Sequence, residues 1–341
     1  MSKKLLLVGS NSIHVYNFIN LVKENFDNVL LLTNEINLNE DVRSIEVDFS
    51  LGIKSVSTIK KIRSIIQDFQ PSVVHVQQAN TYLFLTALAL KKQNVPLVLT
   101  AWGSDILINP HKSFLLKKML QYSLNDVQVI TADSNHVLKS TQALVSKKLS
   151  LYNVNFGIDM KACDNIKKEN IVYSNRLHKE LYNIDKVILS FSKFIQTHDN
   201  WKLVLAGSGD QTEVLKSLVQ RLQIDKHVDF VGFLSQEENH AYYCQSKIYI
   251  SIPRSDSISI SLVEAMLYGC VPFVSNLEAN RELIEDCKNG FIEEDLENID
   301  FEKFMQIDRS YFKQTRERLK VVFSKEYNQN QYFEIYEKVL K

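Results

Sequence analysis

The 341-residue chain is predicted to be an α/β protein made of two doubly wound parallel-sheet domains. Three observations lead there. The chain is longer than one ordinary core fills, which sets two domains as the expectation. Short unbroken apolar runs alternate with longer stretches of helical periodicity, the pattern of parallel strands covered on both faces. That alternation lapses at "NFGIDMKACDNIKKEN" (155–170), where polar residues replace the apolar periodicity, and then restarts.

The elements follow in order. "KLLLVGS" ends in a turn and leads into the helical "HVYNFINLVKENF"; "NVLLLTN" and the helix "STIKKIRSIIQDF" come next. "SVVHVQ", the helix "YLFLTALALKKQ", "PLVLTAWG", the helix "SFLLKKMLQYSL" and "VQVITADS" complete the first set. The second set runs "NIVYSN", "IDKVILSFSKFI", "WKLVLAG", "TEVLKSLVQRLQ", "VDFVGF", "EENHAYYCQ", "KIYISI" and "VPFVSN", strands and helices in turn. The expected division is 1–160, 161–325 and a terminal helix, 326–341, whose aromatics recur at helical spacing and suit packing back on the first domain.

Composition narrows the class. With 45% hydrophobic and 23% charged residues the chain reads as globular, and its zero formal net charge gives no pointer to nucleic acid. Residues 1–160 hold 16 Lys+Arg against 12 Asp+Glu, a slight basic excess that suits an anionic surface. Cys163, Cys244, Cys270 and Cys287 lack CxxC spacing and read as reduced thiols of a cytoplasmic protein. The apolar run at the start stops at Gly9, right for a strand and short for a signal sequence. "YLFLTALAL" is about half the ~18 residues a membrane span needs. The basic helix around "HKSFLLKKML" (111–120) is read either as a solvated face or as peripheral contact with the inner membrane.

Chemistry concentrates in "RSDSISISLVEAMLYGCVPFV" (254–274). It carries one carboxylate at its start, Asp256, and another, Glu264, among Leu262, Val263, Ala265 and Met266. A buried carboxylate is costly unless paired. A helix is expected to begin near Ser259, placing Glu264 about 7–8 Å inside it at the standard rise. Ser257, Ser259 and Ser261 suit the helix start, whose free N–H groups make an anion site. A phosphate there, with acids on both sides, suits a nucleotide-sugar: ribose on Glu264, sugar on Asp256. Asp256 also suits a simple cap. The scarce glycines, nine in all, gather near element ends, as a ligand-binding strand edge requires.

These residues resemble the E-x7-E signature of retaining GT-B glycosyltransferases of family four, with Asp in place of the first Glu and serines, Ser257 and Ser259, in place of two loop glycines. "ANRELIEDCKNGFI" resembles the run that follows it in the family. "VYSNRLHKELYNID" resembles the family's Arg…Lys element: Arg176 carries over, Tyr182 stands where the lysine would, and Lys179 is the nearby cation. "LVLAGSGD" and "VDFVGFLS" resemble the strands that hold the nucleotide base. "GSNSIHVYNF" resembles the acceptor-side loop, and "LTAWGSD" stands where relatives have a histidine-containing turn.

The resemblance implies two Rossmann-like domains facing across a cleft. Asp256, Glu264 and Arg176 would be catalytic, and Lys179, Gly207, Ser208, Phe233, Leu234, Ser257, Ile258, Ser259 and Ile260 would bind the donor. Asn11, His14, Trp102 and Asp105 would bind the acceptor, although packing and capping also account for them. No D-x-D occurs and no ligand spacing is present, so no metal and no cofactor are expected. The implied activity is retaining transfer from a UDP-sugar to a glycan or lipid-linked glycan, by analogy in bacterial lipopolysaccharide O-antigen or capsule synthesis. The alternatives are a nucleotide-sugar epimerase of the same fold and a non-catalytic nucleotide-sugar-binding protein.

Overall fold

The structure, a computed structural model, describes residues 2–163 and 166–341. Asp164 and Asn165, within the expected domain boundary, lie outside the described residues. The chain divides into two compact units. One comprises the residues up to Gly157 together with Lys325–Lys341; the other is Ile158–Ser324.

Strands β1 (Lys4–Val8), β2 (Asn28–Thr33), β3 (Ser44–Glu46), β4 (Val73–Gln77), β5 (Leu97–Ala101), β6 (Val129–Ala132) and β7 (Leu151–Asn153) form the first sheet. It is parallel throughout, in the order β3-β2-β1-β4-β5-β6-β7. Every residue of β4 and β5 is buried, which explains their mainly apolar sequences; the buried polar residues His75, Gln77 and Thr100 bond to other side chains. The Lys325–Val339 helix returns to this unit: Tyr332 and Tyr336, four residues apart, are fully buried against Phe18 and Phe26. The Tyr336 hydroxyl lies 2.6 Å from Nδ1 of His75, whose Nε2 is 2.8 Å from Oγ1 of Thr100. Burial holds the His75 imidazole down at about 3, so it is neutral in the folded protein.

The second sheet contains β8 (Glu169–Ser174), β9 (Lys202–Ala206), β10 (Val228–Gly232), β11 (Ser246–Ser251), β12 (Val271–Ser275) and β13 (Phe291–Glu293). Its order is β10-β9-β8-β11-β12-β13, again parallel. One face packs Val187, Phe191, Leu203 and Phe273; the other packs Tyr173, Tyr249, Leu262 and Val263. The chain enters and leaves this unit side by side, with the Ile158 amide bonded to the Phe323 carbonyl at 2.7 Å. Strands β3, β7 and β13, three residues each, were not anticipated.

Candidate active site

In the second sheet the connections run in opposite directions from the adjacent pair β8 and β11. Such a switch point leaves a crevice beyond the carboxyl ends of the strands, where open α/β sheets bind ligands. Arg176 lies two residues past β8, and Asp256 five past β11. The fold therefore brings together two residues 80 positions apart.

Arg176 is held on three sides. Its Nη2 donates to Asp256 Oδ2 at 2.6 Å, its Nη1 donates to Ser259 Oγ at 2.7 Å, and its guanidinium lies 4.5 Å from the Tyr182 ring centroid. Tyr182, where the resemblance would place a lysine, thus stacks on the remaining cation. Asp256 Oδ1 accepts the Ser257 amide at 3.0 Å. Burial raises the Asp256 carboxyl above its ordinary value, against the opposing pull of Arg176. Ser259 caps the Ile260–Leu267 helix by position, but its hydroxyl serves Arg176 rather than the helix amides. Neither Ser257 nor Ser259 has positive φ, so the segment folds without the glycines of the family pattern.

Glu264 is the fifth residue of that helix and half-buried. Burial raises its carboxyl, and a hydrogen bond from Tyr243 works against that rise. Tyr243 belongs to a polar cluster that sequence reasoning missed. Asn175 Nδ2 donates to the Tyr243 hydroxyl at 2.8 Å and to Asn239 Oδ1 at 3.0 Å; the Tyr249 hydroxyl donates to Asn175 Oδ1 at 2.9 Å. This part-buried network orients the Tyr243 hydroxyl beside the acid. The available signal was a tyrosine in each of two mainly apolar strands, Tyr173 and Tyr249, the Tyr242–Tyr243 pair in the helix between them, and an asparagine beside Arg176.

The other donor candidates occupy the same sheet edge. Gly207 and Ser208 follow β9, and Phe233 and Leu234 follow β10. Gly207 has φ +93°, and a Cβ there would stand 3.0 Å from the Arg176 carbonyl oxygen. At Gly209 a Cβ would lie 2.3 Å from the His178 carbonyl oxygen. These glycines let the loop lie against the backbone that carries Arg176. Phe233 is 71% exposed, an unusual placement for a large ring beside a strand end. The Ile258 side chain goes into the core, leaving only its backbone for a ligand, whereas Ile260 is half-buried. Lys179 is exposed.

In the first unit, Asn11 and His14 follow β1 and Trp102 follows β5. His14 is exposed, with its ring edge-on to Trp102 at 5.5 Å. The Trp102 indole donates to Gln77 Oε1 at 2.9 Å, and Asn11 Oδ1 accepts from the Tyr16 hydroxyl at 3.0 Å. Asp105 is buried. One of its carboxylate oxygens takes the Ala79 amide at 2.6 Å, and both are within 3.2 Å of the Trp102 amide. Its observed work is to hold the β4 and β5 loops together.

One sequence expectation is corrected. Cys163 and Cys244 are not free thiols: they are joined in a disulfide. Their separation of 81 residues gave no local signal, because only the fold places the first stretch of the second unit against the Gln236–Gln245 helix.

Two Rossmann-like sheets, with a largely buried arginine and two acids near the switch point of the second, have the architecture of the GT-B fold. Residues 161–303 match the family "Glycosyl transferases group 1", and residues 3–134 match "Glycosyl transferase 4-like". The chain is 23% identical to an uncharacterized glycosyltransferase of Haemophilus influenzae, over 72% of this chain and 69% of that one. It is 24% identical to the N-acetyl-alpha-D-glucosaminyl L-malate synthase of Bacillus anthracis, over 68% of this chain and 64% of that one. Among solved structures, a glycosyltransferase of Rickettsia africae superposes with a TM-score of 0.80 at 17% identity, covering 100% of this chain and 99% of that one. Anabaena HepE, solved in complex with UDP, gives 0.81 at 14% identity, covering 98% of this chain and 100% of that one.

Proposed function

We propose that this glycosyltransferase moves a sugar from a UDP-sugar to a glycan or lipid-linked glycan acceptor, with retention of anomeric configuration, in bacterial surface polysaccharide synthesis such as O-antigen or capsule. The observation that carries the reading is the Arg176–Asp256–Ser259 constellation at the switch point, with Glu264 one turn into the adjoining helix. HepE has also been solved with UDP-glucose, which favours uridine as the base.

In this reading the donor diphosphate takes the place beside Arg176 and the amino end of the Ile260–Leu267 helix. Both carry positive potential toward the departing phosphate, where charge develops. Lys179 adds a second cation, so the diphosphate needs no metal. Glu264 accepts from the donor ribose, and the exposed Phe233 ring, with the Gly207–Ser208 turn, borders the base. Asp256 keeps Arg176 aimed and meets the donor sugar. No protein nucleophile is invoked: the leaving phosphate helps to deprotonate the incoming hydroxyl on the same face of the sugar. Asn11, His14 and Trp102 receive the acceptor, with Asp105 shaping their loop.

The acceptor would be reached at a cytoplasmic membrane face. Among the described residues, no helix is long and apolar enough to cross a membrane. The Phe114–Leu124 helix instead exposes Phe114 and Leu115, at 76% and 64%, beside Lys117 and Lys118. Apolar side chains rimmed by cations suit an anionic bilayer surface.

The test is UDP release from UDP-glucose and UDP-N-acetylglucosamine with glycan and lipid-linked acceptors, followed by proton NMR of the product. Acceptor-dependent release with an α-linked product from an α-linked donor is expected. Release of free epimerised sugar, an inverted product, or nucleotide binding without turnover would overturn the reading.

A further inference from the structure

Cys163, His240 and Cys244 bring three ligand atoms within 4.8 Å of one another. His240 and Cys244 are four residues apart on the Gln236–Gln245 helix and therefore share a face. His240 Nε2 stands 3.4 Å from Cys244 Sγ. A tetrahedral zinc ion with Zn–S near 2.3 Å and Zn–N near 2.0–2.1 Å separates its sulfur and nitrogen ligands by roughly 3.5 Å. The helix thus already holds two ligands at the spacing such an ion requires. The imidazole is fixed from the other side by the Tyr268 ring, edge-on at 4.7 Å. Cys163 approaches from the stretch that opens the second unit, with its Cα 5.7 Å from that of Cys244. The Lys161 amide donates to the Tyr268 hydroxyl at 3.1 Å, and its ammonium lies 3.5 Å from Glu237, so the stretch is anchored beside the cluster.

We propose that, when the Cys163–Cys244 disulfide is reduced, Cys163, His240 and Cys244 form a binding site for a soft divalent ion, zinc by the chemistry of its ligands, separate from the donor site. A dithiol reductant supplies two electrons and two protons to break the sulfur–sulfur bond and give two thiols. The incoming ion displaces both thiol protons to solvent and is held by two thiolates and Nε2, with water as the fourth ligand. Two thiolates and an imidazole select zinc or copper over magnesium or calcium. The role is structural. Disulfide and metal are alternative fasteners of the 158–163 stretch to the helix that also carries Tyr243, the partner of Glu264.

Cobalt(II) is the probe for this site, since thiolate ligation gives it a charge-transfer absorption that oxygen ligation does not. The full-length protein is reduced with a dithiol, the reductant is removed without air, and the protein is titrated with cobalt chloride, then zinc chloride. Because Cys270 and Cys287 are free thiols, both are replaced by serine in the parent protein. One equivalent of cobalt should produce the band, and one of zinc should abolish it. Cys163→Ser and His240→Ala should each weaken binding by more than the roughly 10–100-fold that loss of a supporting group costs. Circular dichroism of the variants establishes that they fold. Absence of the band in the reduced parent, or a band unchanged in both folded variants, overturns the proposal.

Discussion

Burial raises the Glu264 carboxyl, which decides the sign of its contribution to stability. A raised carboxyl gives stability that is full below its unfolded value, about 4.3, and is lost as pH rises through the folded value. At neutral pH the carboxylate is therefore a cost, which the proposed ribose contact would offset. Glu264→Gln should melt no lower than wild type at pH 7, and any advantage should vanish below about pH 4. It should also lose the stabilisation by nucleotide, about 2.7 kcal/mol at 100 times the dissociation constant. Thermal melts across pH, with and without UDP, check both. Asp256→Asn removes the charge that holds Arg176. The pair's side chains are 27% and 12% exposed, so the loss should fall between the ~0–1 kcal/mol of a surface pair and the ~3–5 kcal/mol of a buried one. Urea denaturation measures it. What could be read ahead of the fold was where to look: acids in an apolar stretch and a resembling motif singled out Glu264, Asp256 and Arg176, and the fold pairs the last two. The Asn175–Tyr243 support was not legible, because its members come from three places far apart in the chain, after β8, in the Gln236–Gln245 helix and in β11, and only the fold gathers them.

The strand-end loops show where local sequence and tertiary contact part company. The Gly207–Gly209 turn could be read as a turn, but not that it lies against the His178 backbone. Gly209→Ala should cost about 1–3 kcal/mol through forced backbone movement and should weaken UDP binding in parallel, as calorimetry would show. The long strands and helices were legible because two-sided burial writes an unbroken apolar run and one-sided burial a helical period. Strands β3, β7 and β13 were not, since three residues at a sheet edge carry no period. The terminal helix announced itself through Tyr332 and Tyr336. Its anchor, the hydroxyl on His75, depends on a histidine that sits within an apolar strand. Tyr336→Phe leaves that buried ring nitrogen without its partner and should cost about 1–3 kcal/mol.

Across the whole molecule there are two parallel sheets, and the proposed function assigns the diphosphate to the one whose switch point carries Arg176. His75 gives the whole chain an acid limit. Its imidazole is depressed to about 3, so the stability it contributes is present above its unfolded value and is lost as pH falls from there toward the folded one. Wild type should accordingly lose stability progressively below about pH 6.5, and His75→Gln should flatten that slope. The expectation of four free thiols failed at this scale, because pairing across 81 residues is a property of the folded chain alone. The most direct test of the account is a calorimetric titration of wild type and Glu264→Gln with UDP. Wild type should bind UDP at one site, and a Glu264→Gln variant that still folds should not. Equal binding by both proteins, or none by wild type to any nucleoside diphosphate, would contradict the assignment of the donor site to the β8–β11 crevice.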